Sequence, residues 1–218
     1  MYLSRLILNP RSRRVQKEIA DPYQLHRSLM RAFPDGLEDG DERVLFRLDA
    51  HPRSDALSLL VQSLNAPDWS WLAEPGARGY LLPEELLPPQ VTENPATKAL
   101  NLEFTHGQRL AFRLRANPTV KRNGRRLGLL REEEQHAWLA RKAQAGGFRI
   151  LTASVREEGL MSGTIHRSQE ESHRLRLLAV RFDGLLQVVE PARFQDTLQA
   201  GIGSGKGLGF GLLSLGPA

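Results

Sequence analysis

The chain of 218 residues contains no cysteine. That excludes a disulfide framework and any zinc site built on thiolates. No stretch approaches the roughly 20 apolar residues that a membrane helix needs. No secretory signal pattern is present at the start. The reading is a soluble, cytoplasmic protein with no membrane association. Metal-ligating patterns such as H-x-x-x-H, H-E-x-x-H or D-x-D are missing too, so no metal site is expected. Lysine is scarce, and 25 of the 30 basic residues are arginine. The net charge is +5 and the pI about 10.0, which points to a polyanionic partner. Arginine forks onto phosphate and guanine where lysine acts as a point charge. The charge also clusters, at Arg11, Arg13, Arg14 and Lys17, at Lys121, Arg122, Arg125 and Arg126, and at Arg174, Arg176 and Arg181.

Glycine, by contrast, is concentrated. Every odd position from Gly201 to Gly211 is glycine, with Ser204 and Lys206 between them. Glycine lets a backbone approach a ligand closely, at an entropic cost in folding. Many bare N–H groups beside one cation suit phosphate oxygens. The run is not a P-loop: Gly207 follows Gly205-Lys206, and Ala200 stands where the first glycine belongs. It is not a dinucleotide fingerprint either, because no register fits and the order is helix then strand. Ile202, Leu208 and Phe210 inside it argue for a packed loop.

Along the chain, Tyr2–Leu8 reads as a strand stopped by Asn9-Pro10, followed by a basic loop. Asp21 and Pro22 open a helix running to about Phe33, ended by Pro34-Asp35-Gly36. Leu25, Leu29, Ala32 and Phe33 share its buried face, while Tyr23, His26, Arg27 and Met30 occupy the flank. Two strands, Val44–Leu48 and Leu57–Ser63, surround a turn at 51–55, and Trp69 and Trp71 follow in a short helix or turn. Pro83, Pro88, Pro89 and Pro95 suggest a linker over 83–100. The second half repeats the plan. A strand at Arg109–Ala116 ends in Asn117-Pro118, then come a basic loop and a helix from about Arg131 to Ala145. Strands near 148–151, 175–182 and 185–189 follow, then a helix at 191–200, the glycine run and a last strand. The stretch from Val155 to Arg174 is polar and unassigned. Each half approximates β-α-β-β-α-β, which predicts an α+β protein of two tandem ferredoxin-like, or RRM-like, domains at 1–82 and 101–218. The aromatic RNP motif of RRM sheets is absent, so RNA contact is expected from loops and basic edges.

RNA is cut without metal when its own 2′-OH attacks the adjacent phosphate. The step needs a base, an acid and donors for the developing charge. His26 serves as base or acid, since its pKa lies near neutrality. Tyr23, at i−3 on the same helix, takes the complementary role or positions a reacting oxygen. Lys206 and the loop amides are the phosphate donors. The other five histidines, at 51, 106, 136, 166 and 173, carry no such pattern.

Four ordered motifs then converge on one family. They are Met1-Tyr2-Leu3-Ser4-Arg5-Leu6, Tyr23-Gln24-Leu25-His26-Arg27, Phe112-Arg113-Leu114-Arg115-Ala116-Asn117-Pro118, and the run from Gly201 through Gly211 to Leu215. With Glu134-Gln135-His136-Ala137-Trp138-Leu139, they resemble the CasE family, the CRISPR RNA-processing endoribonucleases of the type I-E Cascade complex. The resemblance implies metal-independent cleavage of the CRISPR repeat at the base of its hairpin. It implies a 2′,3′-cyclic phosphate, retention of the cut RNA, other Cascade subunits as partners, and no small-molecule cofactor. It puts the catalytic pair on His26 and Tyr23 and the glycine loop on Gly201, Gly203, Gly209 and Gly211. It also implies an arginine-bearing hairpin within 155–176, with Arg156, Arg167, Arg174 and Arg176 as candidates. Arg27, Ser204 and Lys206 complete the expected RNA contacts. The rival reading is a non-catalytic RNA-binding subunit of a ribonucleoprotein.

Overall fold

The structure is a computed structural model that describes residues 1–34, 42–50, 56–166 and 172–218. It divides into two compact units. The first comprises Met1–Asn101 together with Gly207–Gly209, and the second Leu102–Lys206 with Phe210–Ala218.

In the first unit, strand β1 (Tyr2–Leu8) leads into helices α1 (Arg13–Ala20) and α2 (Pro22–Met30). Strands β2 (Leu45–Ala50) and β3 (Leu57–Ser63) follow, then three 3-10 turns and strand β4 (Ala96–Ala99). The strands form an antiparallel sheet in the order β2-β3-β1-β4. Leu6 and Leu8 of β1, Leu59 and Val61 of β3 and Phe46 of β2 present one face. Val15 of α1 and Leu25 and Leu29 of α2 close over it, as the alternation of strands and the turn of helices require.

Two expectations are corrected here. The basic stretch after Asn9-Pro10 is not a loop but helix α1. Val15 is fully buried and Ile19, one turn on, packs on the same core. The charged residues around them hid a narrow apolar stripe. Within residues 83–100, expected as a linker, Ala96–Ala99 joins the first sheet. Ala96–Ala99 pairs with β1, and the Asn94 side chain both accepts from Ile7 N (2.8 Å) and donates to Ile7 O (2.9 Å). The open edge of β1 needs such partners, because unpaired strand groups are costly when buried. Helix α2 stops at Met30, and its last turn tightens through Ala32 N to Leu29 O and Phe33 N to Met30 O. Asp35 and Gly36, and the turn expected at 51–55, lie outside the described residues.

The second unit contains β5 (Arg109–Ala116), the hairpin β6 (Thr119–Arg122) and β7 (Arg125–Gly128), and helix α3 (Glu132–Ala145). Then come β8 (Phe148–His166), β9 (Ser172–Val188), α4 (Pro191–Ala200) and β10 (Leu213–Pro217). Its sheet order is β10-β5-β9-β8, all antiparallel. Setting the small hairpin aside, the second unit runs β-α-β-β-α-β, and in both sheets the first and third strands are central, the ferredoxin-like arrangement. In the first unit 3-10 turns replace the second helix.

The described residues of the polar insert, 155–166 and 172–174, are ordinary strand: they belong to the outer arms of the long β8–β9 hairpin. The two strands read around Asp183-Gly184 are one continuous β9. Asp-Gly signals a turn in sequence, but here the glycine admits a neighbour. A Cβ at Gly184 would overlap the Thr152 carbonyl, beside a register shift in β8. The second basic loop is a hairpin too, turning at Asn123 (φ 49°) and Gly124 (φ 76°). Asn-Gly is the preferred pair where two successive residues need positive φ. Among the described residues no helix is long and apolar enough to cross a membrane, and no group of three His, Asp or Glu stands in metal-binding geometry.

Candidate functional site

Helix α2 fixes the first functional side chains. Asp21 caps it by accepting from Tyr23 N (3.2 Å), and Pro22 sets its first turn. Because Leu25 and Leu29 face the core, Tyr23 and His26 are half-buried on the flank and Arg27 is exposed. The rotation of α2 is held from behind by a buried polar knot. Glu18 of α1 accepts from Arg14 Nε (2.8 Å), Ser28 Oγ (2.7 Å) and Tyr80 OH (2.7 Å). Arg14 also donates to Ser28 Oγ (3.1 Å) and Gly76 O (2.9 Å), and its guanidinium lies over Trp71 and Tyr80. Burial, with the Glu18 charge beside it, pushes the Tyr80 phenol far above its usual range, so it stays a donor.

The His26 ring lies parallel to Phe46 of β2, with centroids 6.1 Å apart and planes 13° from each other. Its Nδ1 is buried without a hydrogen-bond partner. Burial lowers its pKa below the ordinary 6.5, so the imidazole is neutral at pH 7. Gly207 approaches the same ring: a methyl added there would sit 3.5 Å from Cδ2 and 3.6 Å from Nε2. Gly209, at φ +82°, approaches Phe46, and a methyl there would lie 3.1 Å from Cε2. The middle of the glycine run thus packs on the histidine–phenylalanine pair, within the first unit.

The rest of the run belongs to the second unit and is tightly held. Ile202 and Phe210 are buried in that unit, and Leu208, grouped with the first, is buried too. Ile202 N donates to Gly211 O (2.9 Å), and Gly211 N donates to Arg115 O (2.8 Å). The Arg115 guanidinium covers Phe210 (5.3 Å) and donates to Glu158 (2.7 Å). Gly203 lies against Trp138, so a Cβ there would come within 3.1 Å of the indole. These glycines therefore serve close packing as well as exposure. Among the described residues no backbone carbonyl takes up the N–H groups of Gly203, Ser204 and Gly205. Ser204 Oγ is buried without a partner, and Lys206 opens the 3-10 turn Lys206–Leu208.

The structure brings His26 together with the glycine run at Gly207, a position outside the four glycines picked out by the family pattern. Tyr23 stays one turn away on α2. Gly201, at φ +73°, ends α4 as its C-cap. Arg156 is exposed on β8 opposite Arg181. Arg174 and Arg176 lie on β9 opposite Thr164 and Ser162, and Arg167 is outside the described residues. Sequence reasoning missed Phe46, Arg115 and Glu158. Nothing about a strand phenylalanine announces that it will stack on a histidine. The Arg115–Glu158 pair closes only through the register of the long hairpin.

Comparison with known proteins gives a concordant result. The family described as CRISPR associated protein matches residues 1–217. The chain is 39% identical to the CRISPR-associated endoribonuclease Cse3 of Thermus thermophilus, over all of both chains. It is 29% identical to the CRISPR system Cascade subunit CasE of Escherichia coli, again over all of both. A solved structure of CRISPR endoribonuclease Cse3 bound to 19 nt RNA superposes with a TM-score of 0.84 at 37% identity, covering both chains completely.

Proposed function

Since this chain belongs to the CRISPR-associated protein family, in its Cse3/CasE branch, we propose that it is the endoribonuclease that matures CRISPR RNA. It cuts the repeat at the base of its stem-loop and stays on the product as a Cascade subunit in the cytoplasm. The first unit carries the catalytic helix, and the second carries the stem-reading hairpin and most of the glycine loop.

The observation that carries this reading is the neutral, half-buried imidazole of His26 against the backbone of Gly207. A neutral imidazole takes a proton, so His26 is the base that removes the 2′-hydrogen. The freed oxygen attacks the adjacent phosphorus, and the P–O bond to the 5′-oxygen breaks. The products are a 2′,3′-cyclic phosphate and a 5′-hydroxyl end. Tyr23 protonates or positions the leaving oxygen. The amides of Gly203, Ser204 and Gly205, with Lys206, stabilise the charge that builds on the non-bridging oxygens. Arg27, Arg156 and Arg167 grip the phosphates. The nucleophile is the substrate's own hydroxyl; with Tyr23 giving its proton to the leaving 5′-oxygen, His26 and Tyr23 together account for both proton transfers.

The test is digestion of a labelled repeat hairpin on a denaturing gel, with mass analysis of the new 3′ end. Wild type gives one cut and a cyclic phosphate, in chelator as in its absence. His26→Ala loses at least about 100-fold in single-turnover rate and keeps its affinity. An intact band with wild type, shifted only on a native gel, would favour the non-catalytic subunit.

A further inference from the structure

The short hairpin β6–β7 pairs with neither four-stranded sheet. Its root is fixed: Leu129 N donates to Pro118 O (2.9 Å), and Asn117 and Leu129 are buried. Its body is exposed from Lys121 to Gly128. A lone two-stranded ribbon has little stability of its own, and this one adds a conflict. Lys121 stands opposite Arg126, and Arg122 opposite Arg125. Like charges directly across a ladder are destabilising.

Nothing in the described part of the chain relieves them. Among the described residues none of these four cations makes an ion pair or a side-chain hydrogen bond. The sheet of the same unit is different. There Arg113 and Arg181 are held by Asp183, and Arg115 by Glu158. Side chains alternate along a strand, so the pair at 121 and 126 projects from one face of the ribbon and the pair at 122 and 125 from the other. Cations on both faces suit a partner that offers negative charge on two sides. A nucleic-acid backbone does so, and a flat acidic protein surface does not.

We propose that β6–β7 is a second RNA-binding element, reading phosphates without regard to sequence and separate from the long β8–β9 hairpin. This rests on the reading of the chain as an RNA-binding protein. The experiment uses the whole chain and a repeat RNA with a 2′-deoxy nucleotide at the cut, which holds it intact. Affinity is measured against salt for wild type, K121Q/R126Q, R122Q/R125Q and the quadruple variant. Each double substitution removes a like-charge repulsion, so thermal unfolding should not fall. For every phosphate that the ribbon ceases to neutralise, the slope of log K on log salt should decrease in magnitude by about 0.7–0.9. At about 0.1 M salt the quadruple variant should bind at least ten times more weakly than wild type, each pair contributing part. Unchanged affinity and slope in the quadruple variant would overturn the proposal. So would variants that bind RNA normally but fail to join the other Cascade subunits, which would make an acidic protein the occupant. Wild type that does not bind RNA at all would instead sink the functional reading itself.

Discussion

At the scale of single residues, the environment of His26 decides its chemistry. Phe46 beside it and the Gly207 backbone across it strip water from the ring, which disfavours its charged form. The kcat/KM profile of an enzyme reports the free protein. With His26 as base, the rate should rise with pH through an inflection below 6.5 and then level. Measuring kcat/KM from about pH 4.5 to 8 checks this. A rise centred above 6.5 would mean that another group is the base, and a fall through the low inflection would make His26 the acid. Much of this was legible in the sequence. The Asp21-Pro22 start and the spacing of Leu25 and Leu29 already put Tyr23 and His26 on a flank. The ring's neighbours were not legible, because they come from a strand beyond the helix and from a loop far down the chain.

At the scale of elements, regular alternation and capping signals read well, and charge obscured the rest. Helix α1 looked like a loop because five of its eight residues are charged or amide. Its purpose is visible only in three dimensions, where Glu18 gathers Arg14, Ser28 and Tyr80. Removing that carboxylate leaves the hydroxyl hydrogens of buried Ser28 and Tyr80 and the Nε of Arg14 without their acceptor, while Arg14 keeps Ser28 Oγ and Gly76 O. Glu18→Ala should cost about 2–3 kcal/mol, below the full value for a wholly buried pair because Arg14 is partly solvated. Glu18→Gln, which can still accept from one donor, should cost less. Urea unfolding of the three proteins gives the comparison. A loss under about 0.5 kcal/mol for Glu18→Ala would show that the knot does not hold α2. The long β8–β9 hairpin escaped sequence reading for a related reason. Its outer arms are rich in polar residues, so no clean apolar alternation marks them as strands, and Asp183-Gly184 mimics a turn where the glycine accommodates a bulge.

At the scale of the whole molecule, two units share one strand order, and the arginines fall into two settings. Inside the sheets Arg47 is matched to Asp49, Arg113 and Arg181 to Asp183, and Arg115 to Glu158. On the β6–β7 hairpin and on the flank of α2, Arg122, Arg125, Arg126 and Arg27 are exposed. Binding of repeat RNA should therefore weaken by orders of magnitude between about 50 and 200 mM salt, if six or more phosphates are contacted. Filter binding across that range measures it, and a flat response would deny these surfaces to RNA. The domain repeat was readable from the recurrence of strand, Asn-Pro and helix. That the stretch before Asn101 belongs to the first sheet was not, since four prolines outweighed one short strand.

Gly207 and Gly209 have a consequence for biosynthesis. They count with the N-terminal unit although almost the whole polypeptide separates them from α2. A ribosome must translate every strand except β10 before the backbone beside the His26 ring exists. Until then the nascent protein lacks the glycine backbone that packs on His26 and Phe46.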